Sequence, residues 1–290
     1  MKLVHFLIFT GFSLFSSAQV NTYIGAYSGV NKDGYLQPIA NVLTSSFNTG
    51  IVQYSRIDSG FYFYFGIIGS ASLVLSENLK FFDAVTPENF IPNAIVSAPT
   101  LLGPRNSVNY QGINGTVYTF PAGIGLKFLS LAVPQISIGN LAGTEFTGRF
   151  FAYDTKDDVG KINYLAIGAR HDLSQYFFKN KNTDLSISYT YQKASTGAYL
   201  DFHSHLAQAI MGRSGKRWNY FAFVGYQKSK IKGTYTSTDE KEEIVHYDLD
   251  NKNNLIAGIS GGLSLGKFHM QGIASGLSPV VISASLGLKF

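Results

Sequence analysis

The stretch Pro279–Phe290 reads PVVISASLGLKF, and its alternation decides the fold. Successive side chains of an extended strand point to opposite faces. Val280, Ile282, Ala284, Leu286, Leu288 and Phe290 therefore share one face, and Val281, Ser283, Ser285, Gly287 and Lys289 share the other. The first face is apolar throughout, and the second is small or polar apart from Val281. The chain stops on an aromatic residue that carries the terminal carboxylate, a poor fit to a strand buried in the core of a soluble sandwich.

The start of the chain agrees with that reading. Met1-Lys2 is a short positive segment, and Leu3–Phe15 (LVHFLIFTGFSLF) is apolar but too short to cross a bilayer as a helix. Ser16-Ser17-Ala18 then supplies small residues. Residues 1–18 read as a secretory signal peptide, with cleavage before Gln19. The whole sequence has 290 residues, 30 glycines, no cysteine, and 14% each of charged and aromatic residues. So few charges make a poor soluble surface, yet no long apolar run follows the signal. A closed barrel reconciles the two, because alternating strands put one greasy face outward and keep mean hydropathy near zero. It also needs no disulfides, since the complete strand ladder satisfies the backbone. The formal net charge of +5 has no basic run behind it, so nucleic acid is not an expected partner.

Residues 19–49 read as a lead-in with one short helix, over Gly34–Leu43, where Leu36, Ile39, Ala40 and Leu43 recur at helical spacing. That helix is either a plug or lid for the barrel or a simple lead-in. Residues 50–290 read as the barrel. Phe61, Phe63, Phe65 and Ile67 alternate with Tyr62, Tyr64, Gly66 and Ile68, and Leu185, Ile187, Tyr189 and Tyr191 alternate with Ser186, Ser188, Thr190 and Gln192. Pro87, Pro92, Pro99 and Pro104 make 81–104 a broken strand and a long loop. Ala142-Gly143 reads as a hairpin turn, and Asp172 as the cap of a helical turn ending near Tyr176. At roughly 20 residues per strand and turn the length suggests about 12 to 14 strands. The expected fold class is all-β, a transmembrane antiparallel β-barrel with a short N-terminal helical segment.

Little in the sequence points to chemistry. Asp201, His203 and His205 share a strand face, as either an open zinc site or a polar lumen wall. Ser204 lies between the histidines but points to the opposite face, which argues against a nucleophile–histidine pair, and no Gly-x-Ser-x-Gly elbow is present. Gly258–Gly266 alternates like a strand and lacks the lysine of a phosphate loop. Asn114-Gly115-Thr116 has the form of a glycosylation sequon. Glu145, Arg149 and Lys289 are expected to face the lumen, lining a solute path or hydrating a plugged interior, because a lipid-facing charge costs about 2–4 kcal/mol at the midplane. No catalytic residue, metal ligand or cofactor is expected, and the chain does not read as an enzyme.

Two resemblances sharpen this. An alternating last strand ending in Phe resembles the closing strand of bacterial outer-membrane barrels, which implies that the assembly machinery reads the strand ending at Phe290. The blocks Val133–Gly139, Gly143–Glu145 and Arg149–Phe151, followed by Asp158–Lys161, Ile167-Gly168 and Arg170–Gln175, resemble a Bacteroidota outer-membrane protein family. Its architecture is similar to the long-chain fatty-acid transporter and secretion-shuttle barrels. The resemblance implies an outer-membrane location among lipid, with binding or passage of a small apolar ligand. The alternative is a structural or partner-binding barrel without transport.

Overall fold

Alternation becomes a closed ring. The computed structural model describes residues 25–27, 29–154, 160–178, 183–197, 199–236 and 244–290. The signal segment 1–18 and the charged loop 237–243 lie outside the described residues. Ten antiparallel strands form the ring: β1 (Tyr62–Leu73), β6 (Phe128–Leu141), β7 (Thr144–Asp154), β8 (Lys161–Asp172), β9 (Asp184–Thr196), β10 (Leu200–Ser214), β11 (Trp218–Thr236), β13 (Leu255–Leu265), β14 (Phe268–Ser275) and β15 (Val280–Lys289). β15 closes onto β1 in a register running from Tyr64 opposite Lys289 to Leu73 opposite Val280. The backbone of Phe290 exchanges two hydrogen bonds with that of Phe63, at 2.9 and 3.1 Å. No ring strand is left with an open edge, which removes the edge-pairing hazard of an open sheet.

An eleventh strand, β12 (Ile244–Asp250), pairs with the far half of the long β11, whose near half pairs with β13. Between β1 and β6 the chain makes a short helix, α2 (Glu77–Lys80), and two hairpins, β2 (Phe81–Val85) with β3 (Ile95–Pro99) and β4 (Val108–Gln111) with β5 (Val117–Phe120). The expectation of about 12 to 14 strands thus resolves into ten in the ring, one beside it and four in the hairpins. Length divided by a mean strand and turn cannot separate ring strands from excursions.

The two ends of the barrel differ. At one end β6 and β7 are joined through Ala142 and Gly143, both with positive φ (50° and 76°), as the sequence suggested. The same end holds the short β10–β11 and β13–β14 turns and the helical turn α3 (Ser174–Phe177), whose first amide donates to Asp172 Oδ1 at 2.8 Å. The opposite end carries the hairpins and the longer connections. We call these the short-turn and long-loop ends.

Each strand sorts its residues by face. Inward positions are buried, among them Tyr62, Tyr64, Ser70 and Ser72 of β1, Ser186, Ser188, Thr190 and Gln192 of β9, and Ser283 and Ser285 of β15. Outward positions form a continuous apolar belt, with Phe150 63%, Ile259 67% and Leu286 67% exposed. No described residue covers them. Tyr64 lies flat across Gly66 and Gly287, so neither glycine has room for a side chain on the inner wall.

The interior is filled by the chain's own start. Helix α1 (Lys32–Asn48) is longer than the Gly34–Leu43 read from periodicity. Its last turn is Thr44-Ser45-Ser46-Phe47-Asn48, and the polar members are buried. The wall meets those members with polar groups, and only Phe47 of this turn packs on aromatic ones, Tyr164 and Phe202, so no apolar stripe marked the helix there. Residues 49–57 then pass through the interior toward the short-turn end, where the chain enters β1.

Candidate functional site

The lumen is held by side chains of the wall that bond to a segment with no strand pairing of its own. Residues 51–57 belong to no strand and yet Ile51, Val52, Gln53, Tyr54, Ser55 and Ile57 are buried. Buried carbonyls need donors. Arg149 of β7 donates to the carbonyls of Phe47 (3.2 Å) and Thr49 (3.1 Å) and, through Nε, to Gln135 Oε1 at 2.9 Å. Gln135 of β6 donates to the carbonyl of Ile51 at 2.9 Å, and Nε2 of His269 of β14 to that of Gln53 at 2.9 Å. Arg170 of β8 donates to the carbonyls of Tyr54 (2.5 Å) and Ser55 (3.3 Å). Four wall residues from four strands thus replace the ladder that a neighbouring strand would provide.

Charge is arranged to match. The last turn of α1 contains no basic residue, so its negative dipole end lacks a cation from the helix itself. Arg149 supplies that cation from the wall. Arg170 is paired with Glu145 Oε1 at 3.1 Å, and both are buried. The Tyr62 hydroxyl donates to Glu145 as well. Nearer the short-turn end Asp184 accepts from Arg56 Nε at 2.7 Å, Ser55 Oγ at 2.6 Å and Ser214 Oγ at 2.9 Å. Lys289 bonds Asp58 at 2.6 Å and lies 4.0 Å above the rings of both Tyr54 and Tyr62.

Around the last turn of α1 hydroxyl and amide pairs stand beside an apolar cluster, in which the Phe47 ring lies 4.7 Å from that of Tyr164 and 5.1 Å from that of Phe202. Ser46 meets Ser72 at 2.6 Å, Thr44 meets Ser229, and the Asn48 amide reaches Ser204 Oγ (3.2 Å) and Gln227 Oε1 (3.0 Å). Gly50 (φ 66°) turns the chain out of the helix, where a Cβ would press on Ile68. A separate apolar cluster lies beyond the helix: Ile51 and Val52 pack against Leu206, Ile210, Phe221, Phe223, Ile256 and Ile273. It encloses a cavity of about 10 Å³, room for one water at most. A wider cleft, about 520 Å³, opens at the long-loop end between Lys32 and Asp33 of α1, Leu200, Lys232 and Tyr247. Burial raises the Tyr247 hydroxyl there above the ordinary phenol range, so it stays neutral.

The residues singled out from sequence divide. Glu145, Arg149 and Lys289 do face the lumen and hold its contents in place. Asp201, His203 and His205 share a face, but it is the outer one, so they are not a lumen wall. His203 bonds Asp201 (3.2 Å) and Tyr191 (2.7 Å), and His205 bonds Tyr189 (2.6 Å). No group of three metal-ligating residues comes together among the described residues. Asn114 lies exposed near the tip of the β4–β5 hairpin, and Gly258–Leu265 is strand β13. Gln135, Arg170, Asp184 and His269 were not legible as site residues. Their one signal was a polar residue on the inward parity of a strand.

Fold and lumen together define an antiparallel ten-stranded barrel closed by a segment of its own chain. The chain belongs to a family of unknown function, DUF6588, whose model matches residues 1–290. No curated protein matches it. Among solved structures it is similar to the Ralstonia pickettii toluene transporter TbuX, at 7% identity and a TM-score of 0.30 over 92% of this chain and 98% of that one. It is also similar to the Pseudomonas putida toluene transporter TodX, at 9% identity and a TM-score of 0.25 over 88% and 92% of the two chains. A Pseudomonas aeruginosa FadL homologue follows at 8% and 0.25, over 89% and 97%. At such scores these likenesses carry no weight for function.

Proposed function

We propose that this chain is a bacterial outer-membrane β-barrel, of the Bacteroidota kind suggested by its motifs, that binds or passes small hydrophobic molecules when its lumen segment shifts. The observation that carries the reading is the way the lumen is closed. Residues 49–57 are held by side-chain donors, which can be released one by one, and not by a strand ladder. A belt of exposed apolar residues around a closed ladder is the surface a bilayer accepts. The apolar cluster under Ile51 and Val52 is where a small hydrophobic molecule would replace the segment's own side chains. The work is conformational, with no covalent chemistry. Outer-membrane lipid and the assembly machinery that reads the strand ending at Phe290 are the partners this reading requires.

A cysteine pair tests it, because the native sequence has none. In Ser55→Cys/Ser214→Cys the two side chains replace hydroxyls 2.6 Å apart, so oxidation ties the segment to β10. Uptake of the hydrophobic dye N-phenyl-1-naphthylamine by cells carrying the protein is expected to fall on oxidation and to recover with dithiothreitol. Uptake that ignores the cross-link sinks the gating reading, and protein released by carbonate washing sinks the membrane reading.

A second reading, a partner-binding barrel, is favoured by one observation. Ile91, Ile95, Ile113 and Val117 are each more than half exposed on the hairpins of the long-loop end. In that case the cross-link leaves dye uptake unchanged and truncation of the hairpins removes the phenotype.

A further inference from the structure

We propose that the outer face of β9, β10 and β11, just beyond the apolar belt at the long-loop end, binds the phosphate groups of a phosphorylated glycolipid in the surrounding leaflet. This rests on the membrane-spanning reading above. The registers of the three strands set their outward side chains in rows. Tyr189, Ala207 and Tyr226 make the last row of the belt, two tyrosines of the kind that sit at a membrane interface. The next row is Tyr191, His205 and Lys228, and the one beyond it Lys193, His203 and Lys230. Only then come Asp201 and Lys232, with Asp248 of β12 alongside.

The ordering is the argument. Within the three ring strands the two rows nearest the belt hold three lysines, two histidines and no carboxylate. Asp250 of β12 lies opposite Lys230 in that second row, at the edge of the patch, and Asp201 and Asp248 lie one row farther from the belt. Asp248 takes Lys232 at 3.5 Å and reaches back to Lys230 at 3.1 Å, and Asp201 lies 3.9 Å from Lys193. Lys193 and Lys230 remain about half exposed, and strand geometry spaces same-face neighbours by roughly 6.6 Å along a strand and about 4.8 Å across strands. That grid lets a phosphate sit between lysine ammonium groups, with acyl chains descending along the belt below. On β1 and β15 the belt ends differently: β1 runs to Leu73 with no outward charge, and β15 begins at Val280. A lipid headgroup fits a patch that faces sideways into the leaflet better than a soluble anion does.

The test uses full-length protein purified in mild detergent and reconstituted in nanodiscs. The discs contain phosphatidylcholine alone, or with bisphosphorylated lipid A, or with the same lipid dephosphorylated. Recovery in phosphatidylcholine discs checks the membrane-spanning reading separately. Native mass spectrometry then counts retained lipid. The phosphorylated form is expected to be retained over the dephosphorylated one. Lys193→Gln/Lys228→Gln/Lys230→Gln is expected to lower retention on the order of 100-fold, about fivefold per lysine near a charged surface. Lys216→Gln/Arg217→Gln at the short-turn end is expected to leave it unchanged. Equal retention of both lipid forms, a triple variant that binds like the parent, or displacement by inorganic phosphate at the same concentration as lipid A would each overturn the proposal.

Discussion

Arg149→Met is the most informative single change. It keeps a long side chain and removes the guanidinium that joins β7 to the end of α1. Two bonds to the segment are lost, to the carbonyls of Phe47 and Thr49, together with the bond that orients Gln135. Hydrogen bonds from a charged donor are worth about 1.5–3 kcal/mol each, so the hold on the segment weakens by about 3–6 kcal/mol. Unlike Arg170, Arg149 faces neutral acceptors, and removing it leaves no buried carboxylate without a partner. The damage is therefore local. Hydrogen–deuterium exchange should speed up across residues 44–55 by roughly 10²- to 10⁴-fold, while peptides from β13 to β15 keep their protection. Arg149→Lys should fall between, because one ammonium cannot serve both carbonyls and Gln135 in the same fork. Unchanged exchange at 44–55 in Arg149→Met would refute the view that wall side chains hold the segment. Equal acceleration everywhere would make Arg149 a residue of the barrel's stability instead.

Three further changes probe the same frame. Glu145→Gln alone should cost about 3–5 kcal/mol by stranding the Arg170 charge, and Glu145→Gln/Arg170→Met clearly less than the sum, read from denaturant unfolding of the refolded barrel. Gly287→Val drives a branched side chain into the Tyr64 ring and should cost about 1–3 kcal/mol, with Tyr64→Ala relieving most of it in the same assay. Deleting Phe290 removes the bonds that close β15 onto β1 at Phe63 and should lower the heat-modifiable, folded fraction on gels of membrane extracts. A normal folded yield would show that the terminal residue is dispensable for closure and assembly.

The barrel was legible because its information is local. The parity of Pro279–Phe290 set which residues face out, and the same two-residue rule placed Glu145, Arg149 and Lys289 inside. That rule follows from backbone geometry, so it needs no knowledge of neighbours. It could not say which way the face of Asp201, His203 and His205 points, because those residues lie past the apolar belt, where polarity no longer separates inside from outside. The extent of α1 was hidden for a related reason: Thr44, Ser46 and Asn48 pack against serines and glutamines of the wall, which leaves Phe47 as the one apolar residue of that last turn.

What only the tertiary structure decided is how the lumen is filled. Gln53 meets His269 across 216 residues of sequence and Thr49 meets Arg149 across 100. Nothing local marks such pairs, since each member is simply a polar residue on an inward position or in an irregular stretch. Strand direction and face are properties of a few consecutive residues. The match between a threaded segment and its wall exists only once ring closure has set which strands look at one another across the barrel.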